Sequence, residues 1–213
     1  MKIITLNKDT EYSVLLESIF VLKKDGILVA PTDTIYGLAA DATNKEVIQK
    51  ISFLKARDKK KPLPIFIDSF KMLEEVAYIK NDGIRKFLEK IWPGKVTCVL
   101  PSRGWMPIEI RGGGGLNIGV RMPGHKFLPS LIKSFGKPLT ATSANISGKD
   151  GSSKIGDVIR DFQHLPLQPD LIIDAGDLAE SKPSTVIDLT KEPPEIIREG
   201  AIPKEEIFKK WLI

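Results

Sequence analysis

The stretch "PLTATSANISGKDG", Pro138 to Gly151, runs an apolar segment directly into small polar residues and then into a glycine-containing turn. Thr140, Thr142, Ser143 and Asn145 supply three hydroxyls and one carboxamide at that point. In α/β proteins, ligand crevices form where strands end and loops converge. The stretch therefore predicts a buried strand that ends at a polar site, although the same residues are also typical of turns.

The same pattern, a predicted strand next to a polar cluster, recurs along the chain. The other clusters are "PTDTIYGLAADA", "KARDKKKP", "GVRMPG", "KPSTVIDL" and "IIREG". Arginine and lysine pair with phosphates and carboxylates, whereas Ser, Thr and Asn bind hydroxyls and amines without adding charge. A crevice shared by these clusters would suit an anionic nucleotide and an amino acid. Taken singly, each cluster is equally explained by turn chemistry or surface pairing.

Helices and strands alternate between these clusters. Val14, Leu15, Ile19 and Leu22 recur at helical spacing, and Asp25-Gly26 then breaks the helix before a strand at "ILVAP". Thr43-Asn44 caps a second helix with apolar positions Val47, Ile48, Ile51 and Leu54. Further strands are predicted at "LPIFI", "VTCVLP", "LNIGVRMP", "PLTATS", "LIIDAG", "STVIDL" and "EIIRE", and further helices around Ile84–Ile91, Lys126–Ser134, Ile155–Phe162 and Lys204–Leu212.

This alternation predicts an α/β fold with a twisted mixed sheet flanked by helices. The sheet is expected to be mixed because several strands follow one another too closely for helical crossovers. No internal repeat and no long linker interrupts the chain, so residues 1–213 are expected to form a single domain. The loop Arg103–Gly115 ends in four glycines, Gly112 to Gly115, which fit a mobile lid over a ligand or an idle surface loop.

Composition excludes several classes of protein. Hydrophobic residues make up 42% and charged residues 28% of the 213 positions, as in an ordinary globular protein. Cys98, His125 and His164 are too few for a disulfide or a usual tetrahedral zinc site. No apolar run could cross a bilayer and the N-terminus lacks a signal-peptide core, so the sequence predicts a cytoplasmic protein without a membrane partner. The phosphate loop, the GxGxxG fingerprint and the GxSxG elbow are all missing.

The charge of the chain is mildly basic. Lys and Arg number 32 against 27 Asp and Glu, for a net charge of +5. Five cations and one anion occupy the run "KARDKKK", Lys55 to Lys61. Such a run suits an anionic ligand, but it is also typical of a solvated helix end, where cations complement the helix dipole. The same charge would serve a double-stranded RNA or tRNA-binding module without chemistry of its own.

In their order along the chain, these motifs closely resemble the YrdC/TsaC family of threonylcarbamoyl-AMP synthases. The resemblance covers about residues 27–200 and rests on "PTDTIYGLAADA", the Lys-x-Arg pair with its basic stretch, "VRMP", "SAN" and "STVIDL" followed by "IIREG". It implies a YrdC/RibB-like fold in its short, single-domain form. It also implies the conversion of L-threonine, bicarbonate (or CO₂) and ATP into threonylcarbamoyl-AMP and pyrophosphate, which serves the threonylcarbamoyladenosine modification of tRNA.

The resemblance also implies roles for individual residues. The conspicuous set around the nucleotide, which would carry catalysis, is Lys55, Arg57, Ser143 and Asn145. Nine residues are expected to bind substrate: Thr32, Thr34, Arg57, Lys61, Asn117, Arg121, Ser143, Ser184 and Arg198. Within this set, Lys61, Asn117 and Arg198 would face ATP, whereas Thr34, Arg121 and Ser184 would hold threonine.

The reaction suits these residue types. A carbamate made from the amine of threonine can attack the α-phosphorus of ATP without a covalent nucleophile, so positioning and charge stabilisation suffice. Mg²⁺ is expected to arrive on the phosphates of ATP rather than in a protein cage. Arg121 suits a bidentate grip on the amino-acid carboxylate, whereas Arg57 suits phosphate. Ser143 and Asn145 are expected to share one face of an extended segment and to contact the nucleotide.

Two alternatives remain beside the synthase. One is the RNA-binding module, although the basic run has only Phe53 as a nearby aromatic residue. The other is a paralogue that keeps the fold without the synthase activity, against which the intact Lys-x-Arg and Ser-x-Asn pairs argue. For a synthase, tRNA or double-stranded RNA and the downstream threonylcarbamoyl-transferase proteins are the expected macromolecular partners.

Overall fold

The computed structural model describes residues 1–58, 61–111 and 115–211, in which helices are interspersed with strands. The strands are β1 (Lys2–Thr5), β2 (Leu28–Ala30), β3 (Gly37–Ala39), β4 (Ile65–Phe66), β5 (Val96–Pro101), β6 (Asn117–Arg121), β7 (Leu139–Thr140), β8 (Thr142–Ser143), β9 (Leu171–Asp174), β10 (Thr185–Asp188) and β11 (Glu195–Arg198). The helices are α1 (Glu11–Lys23), α2 (Lys45–Leu54), α3 (Phe70–Val76), α4 (Asp82–Ile91), α5 (Phe127–Phe135), α6 (Ile155–Phe162) and α7 (Lys204–Trp211).

The strands form two sheets, both of mixed direction. The first has the order β1-β9-β2-β3-β8, in which the β1–β9 and β2–β9 pairs are parallel and the others antiparallel. The second has the order β11-β10-β5-β6-β4-β7, in which the β10–β5 and β4–β6 pairs are parallel. The predicted α/β class with mixed strand directions and flanking helices is therefore confirmed, but the strands are shared between two sheets instead of one.

The chain passes from one sheet to the other inside the predicted strand "PLTATS". Leu139–Thr140 pairs with β4 in the second sheet, whereas Thr142–Ser143 pairs with β3 in the first. The hydroxyl of Thr140 accepts a hydrogen bond from the amide of Ala40 at 3.0 Å and donates one to the carbonyl of Leu38 at 3.1 Å. These bonds join the end of the second sheet to the first sheet. The polar residues that follow Thr140 consequently lie where the two sheets meet.

Three elements were not predicted from the sequence. Strand β3 contains only Gly37, Leu38 and Ala39, and glycine and alanine have low strand propensity. Its pairing with both β2 and β8 supplies the hydrogen bonds that override this propensity. Strand β1 lies at the edge of its sheet, and α3 is a helix of seven residues whose N-cap, Ser69, accepts from the amide of Met72 at 3.2 Å. Short and edge elements of this kind carry little sequence periodicity.

Apolar side chains from both sheets and from the helices form one continuous cluster. Helix α2 illustrates the pattern, because its buried residues recur on one face and its N-cap, Asn44, accepts hydrogen bonds from the amides of Glu46 and Val47. Cys98 lies fully buried in β5, and burial raises the pKa of its thiol, as expected for the core residue predicted from the sequence. In the described ranges, none of the helices is long and apolar enough to span a membrane. The assignment of residues 1–213 to one domain stays a prediction.

Candidate active site

Helix α2 ends in a left-handed turn that separates Lys55 from Arg57. The amide of Arg57 donates to the carbonyl of Ser52 at 2.8 Å, and Ala56 between the two cations has a φ of 49°. This is a Schellman-type helix end, in which glycine is usual because a β-carbon strains the left-handed conformation by about 1 kcal/mol. The chain reverses direction at this turn. Lys55 consequently points into the protein and Arg57 lines a cavity.

The ammonium group of Lys55 holds the segment Ser143–Asn145 in place. Only 2% of Lys55 is exposed, and its Nζ donates to the Ser143 carbonyl at 2.5 Å, the Asn145 carbonyl at 2.7 Å and the Asn145 Oδ1 at 3.0 Å. An ammonium has three N–H groups, so these three acceptors match all of them. Burial, together with the nearby charge of Arg57, lowers the pKa of Lys55 to about 7. Lys55 therefore positions the polar segment, and direct contact with a substrate would require it to give up one of these bonds.

Asn145 is part of the same buried arrangement. Its Oδ1 accepts from Lys55, and its Nδ2 donates to the carbonyls of Ile146 at 3.1 Å and Lys149 at 2.5 Å. The amide of Ser147 returns a hydrogen bond to the carbonyl of Lys55 at 2.8 Å. The Lys-x-Arg and Ser-x-Asn motifs are thus interlocked through Lys55 and Asn145. Arg57 and Ser143 remain as the members of the two motifs whose side chains have more freedom to reach a ligand.

A cavity of about 220 Å³ lies between the two sheets. It collects predicted substrate-binding residues from six separate stretches of the chain. These are Thr32, Thr34, Arg57, Arg121, Ser143, Ser184 and Arg198. We call this space the first cavity.

Arg121 is the buried cation of the first cavity. Its Nε donates to the Gly94 carbonyl at 3.0 Å, its Nη1 to the Thr34 hydroxyl at 3.1 Å and its Nη2 to Asp33 Oδ1 at 2.5 Å. Burial lowers the pKa of Arg121, and the charge of Asp33 opposes this effect. A guanidinium has five N–H donors, so two of them remain for a ligand carboxylate after these three bonds. The predicted grip of Arg121 on a carboxylate is compatible with this geometry, but it would use an arginine already fixed by the protein.

Thr32 and Thr34 form a turn beside Arg121. Their hydroxyl oxygens are 3.0 Å apart, and the Thr32 hydroxyl donates to the Ile35 carbonyl at 2.8 Å. The amide of Thr34 donates to the Thr32 hydroxyl at 3.0 Å. The turn chemistry seen in the sequence and the predicted ligand contact therefore use the same residues. The turn sets the position of Thr34, which in turn receives the hydrogen bond from Arg121.

Also in the first cavity, Ser184 contacts both Thr97 and Arg198. The hydroxyl oxygens of Thr97 and Ser184 are 2.8 Å apart. Arg198 donates from Nη2 to the Ser184 carbonyl at 2.7 Å, and the same nitrogen is 3.4 Å from the Ser184 hydroxyl. Burial lowers the pKa of Arg198. Arg198, which was predicted to face ATP, thus contacts Ser184, a residue predicted to hold threonine.

A second cavity adjoins the first. It is lined by Lys55, Ala56, Arg57, Asp58, Lys61, Thr142, Ser143, Asn145, Ser147 and Gly148. Arg57, Thr142 and Ser143 line both spaces, so the two cavities meet at these residues. Arg57 donates from Nη2 to the Pro62 carbonyl at 2.9 Å, and its buried Nε has no hydrogen-bond partner within the described ranges. Burial lowers the pKa of Arg57.

The structure brings together nearly all of the predicted site residues. Asn117 is the exception, because it begins β6 opposite Pro101 and lines neither the first nor the second cavity. Lys61 lines the second cavity, as expected for a nucleotide contact. Lys59 and Lys60 of the basic run lie outside the described residues. So do Gly112 to Gly114, on which the prediction of a lid depends.

The sequence analysis gave no site role to Asp33 or Thr97, which help to shape the first cavity. Asp33 pairs with Arg121, but in the sequence it reads as an ordinary turn residue. Thr97 is the polar member of the buried strand "VTCVL", and that exception to an apolar run is the signal that could have identified it. Phe66 lines the cavity with its ring centre 5.9 Å from the Arg121 guanidinium, within the range of a cation–π contact. Among the described residues, no group of three or more His, Cys, Asp or Glu side chains could hold a metal ion.

Fold and site together define an α/β protein with a cleft of arginine and hydroxyl groups between two mixed sheets. The Sua5/YciO/YrdC family model, described as "Telomere recombination", matches residues 20–200. A threonylcarbamoyl-AMP synthase of Pyrococcus abyssi is 40% identical over 187 residues, which are 87% of this chain and 54% of that protein. A putative threonylcarbamoyl-AMP synthase of Methanocaldococcus jannaschii is 32% identical over 98% of this chain and 96% of its own length.

Solved structures agree with these sequence comparisons. The crystal structure of P. abyssi Sua5 complexed with L-threonine superposes with a TM-score of 0.91 at 34% identity, covering 99% of this chain and 61% of that protein. Escherichia coli YciO gives a TM-score of 0.83 at 24% identity, covering 97% of this chain and 98% of that one, and supports the fold alone. The chain belongs to the Sua5/YciO/YrdC family, which confirms the resemblance seen in the sequence. It spans about half the length of the P. abyssi relative.

Proposed function

We propose that this chain is a threonylcarbamoyl-AMP synthase, which forms threonylcarbamoyl-AMP and pyrophosphate from L-threonine, bicarbonate and ATP. The observation that carries the proposal is the junction of two cavities at Arg57 and Ser143. A reaction that joins an amino acid to a nucleotide through one carbon atom needs two adjoining sites. The names of the P. abyssi and M. jannaschii relatives support the same reaction, and the threonine complex of P. abyssi Sua5 supports an amino-acid site.

The first cavity is proposed to bind L-threonine. Arg121 offers two free N–H donors to the carboxylate, and its other three donors are fixed by Gly94, Thr34 and Asp33. Because the guanidinium is already oriented, little side-chain freedom is lost when the ligand binds. Thr34 and Ser184, which both line the cavity, would contribute hydroxyl contacts.

The second cavity is proposed to bind the phosphates of ATP. Arg57 and Lys61 supply positive charge, and Ser143 and Ser147 supply hydroxyls. The donors of this cavity are mainly cations, hydroxyls and a carboxamide, which suit phosphate oxygens better than a bare divalent cation. Mg²⁺, which would neutralise phosphate charge when bound, is therefore proposed to enter with ATP.

The chemistry at the junction needs no covalent intermediate with the protein. The amine of threonine and bicarbonate combine into a carbamate with loss of water, and a carbamate oxygen then attacks the α-phosphorus while pyrophosphate leaves. Arg57 and Ser143 would orient the carbamate and stabilise the charge that develops between the two cavities. Lys55 would act through Asn145 and the carbonyl of Ser143 by keeping this wall in place.

The proposal extends to the cellular role, which rests on the relatives. The product would serve tRNA modification through threonylcarbamoyl-transferase proteins, and the net charge of +5 would also suit tRNA as a ligand. A cytoplasmic location stays a prediction of the sequence.

The test is pyrophosphate release by the purified chain. Release that requires ATP, L-threonine and bicarbonate together is the expected result, and each omission should reduce the rate to background. Arg57→Ala should abolish most of the rate, whereas Arg160→Ala, which removes an exposed arginine paired with Asp157 outside both cavities, should not. No release with all three substrates, combined with salt-sensitive binding of tRNA, would support the RNA-binding module instead.

A further inference from the structure

Thr97 and Ser184 form a buried pair of hydroxyls on one wall of the first cavity. Thr97 is 4% exposed and Ser184 is 7% exposed, and their oxygens are 2.8 Å apart. Thr97 belongs to β5, and its partner in the parallel register with β10 is Val186. Both Thr97 and Ser184 line the first cavity together with Val186 and Pro183. The wall therefore presents one polar pair beside apolar side chains.

The protons of this pair distinguish it from the other pair of contacting hydroxyls in the cavity, Thr32 and Thr34. Thr32 donates its proton to the Ile35 carbonyl, so in the contact between Thr32 and Thr34 the donor is Thr34. Both protons of that pair are thus committed to the protein. Thr97 and Ser184 share one hydrogen bond, which uses one of their two protons, and no described protein group accepts the other. A buried hydroxyl proton without an acceptor is unfavourable by about 1–3 kcal/mol, which a ligand can recover.

The pair can also accept a hydrogen bond. Arg198 Nη2 lies 3.4 Å from the Ser184 hydroxyl, a long contact that leaves lone pairs on both oxygens available. One free donor next to free acceptors is complementary to an alcohol, which itself donates one proton and accepts others. The neighbouring Pro183 and Val186 are complementary to a methyl group. An amino acid whose β-carbon bears a hydroxyl and a methyl group has both features.

We propose that Thr97, together with Ser184, recognises the side-chain hydroxyl of the amino-acid substrate and that Thr97 determines specificity for it. The inference rests on the proposed function of the first cavity as an amino-acid site. A site built to hydrogen-bond a hydroxyl discriminates strongly against an analogue that lacks it, because its polar groups are then left unpaired. The ligand pair that tests this is L-threonine and L-2-aminobutyrate, which differ in the hydroxyl group alone.

The experiment measures the Kd of both amino acids by calorimetry for the wild-type chain, Thr97→Val and Thr97→Ser. Removal of one hydrogen-bonding partner is expected to raise the Kd for threonine about tenfold in Thr97→Val. The Kd for 2-aminobutyrate should change less than about twofold, since that ligand has no hydroxyl to lose a partner. Thr97→Ser restores the hydroxyl and should recover the threonine preference.

Thr43→Val is the matched control. The Thr43 hydroxyl also has one side-chain partner, Asp41 at 2.6 Å, but Thr43 lines neither the first nor the second cavity. Thr43→Val should leave the Kd for L-threonine and the Kd for L-2-aminobutyrate unchanged. An equal loss of affinity for both amino acids in Thr97→Val would overturn the specificity role and leave Thr97 as a packing residue.

The outcomes separate this inference from the proposed synthase function. Pyrophosphate release with an unchanged preference for threonine in Thr97→Val would support the synthase and overturn the role of Thr97. Threonine binding that depends on Thr97, without pyrophosphate release by the wild-type chain, would support the hydroxyl subsite and overturn the synthase. Wild-type protein that binds neither amino acid would overturn both.

Discussion

The two cavities that meet at Arg57 and Ser143 are built in different ways. In the first cavity Arg121 and most hydroxyls are already bonded to the protein, as the three bonds of Arg121 show. Arg57, where the second cavity meets the first, makes one hydrogen bond within the described ranges, to the Pro62 carbonyl, and its Nε has no partner there. The difference indicates that the proposed amino-acid end is preorganised and selective, whereas the proposed phosphate end provides charge that adapts to its ligand.

Substitution of Lys55 is expected to have the largest effect on the two cavities. Lys55→Met removes the ammonium group that donates to three acceptors. Each acceptor left without a partner destabilises the folded protein by about 1–3 kcal/mol. We expect kcat/KM to fall by at least about a hundredfold, because the wall between the cavities loses its support. The measurement is pyrophosphate release at saturating and limiting substrate, with circular dichroism to verify folding. A folded Lys55→Met protein with nearly wild-type kcat would show that Lys55 does not position this wall.

Arg121→Lys tests the preorganised end. A lysine keeps the charge next to Asp33 but cannot reproduce the fixed fork that bonds Gly94 and Thr34. We expect the Kd for threonine to rise about thirtyfold and the Kd for ATP to change less than about threefold. Calorimetric titration with each ligand provides the comparison. Equal loss of both affinities would mean that the two cavities are not separate binding ends.

Arg57→Ala tests the proposed phosphate end, as Arg121→Lys tests the proposed amino-acid end. Loss of an incompletely bonded cation should raise the Kd for ATP about tenfold, with a smaller effect on threonine. The expected pattern is the reverse of that for Arg121→Lys, so the two variants together form an internal control. A larger effect on threonine than on ATP would place Arg57 at the amino-acid end.

The smallest expected effect is the pH dependence of stability that arises from Lys55. Its pKa falls from 10.5 to about 7 on folding, so between these values the unfolded chain binds more protons than the folded chain. The penalty of burying the charged amine is therefore fully present below pH 7 and decreases as the pH rises towards 10.5.

The measurement is the free energy of unfolding of wild type and Lys55→Met in urea at pH 6, 7, 8 and 9. The wild-type value should rise relative to that of Lys55→Met by about 1 kcal/mol per pH unit above pH 7. A difference that stays constant across this range would show that the three acceptors keep the pKa of Lys55 near its ordinary value.

Local patterns in the sequence were enough to predict most elements. Strand β5 and helix α6 have the predicted bounds, and Asn44 caps α2 as expected. Capping and apolar periodicity are local properties, which explains this agreement. Strand β3 was not predicted, because its pairing partners, rather than its own residues, stabilise it. The division of "PLTATS" into two strands depends on which sheet each half reaches, and no local pattern records that.

Most candidate site residues could likewise be chosen from the sequence, because the motifs that contain them resemble, in their order along the chain, those of the YrdC/TsaC family. The sequence by itself determined the chemistry that the protein carries, namely cations and hydroxyls with few thiols or imidazoles. Only the tertiary structure decided which of these groups remain available to a ligand. Lys55 and Asn145 are bonded to each other, whereas Thr97 and Ser184 keep a proton free, and the reason is that each hydrogen bond joins segments tens of residues apart.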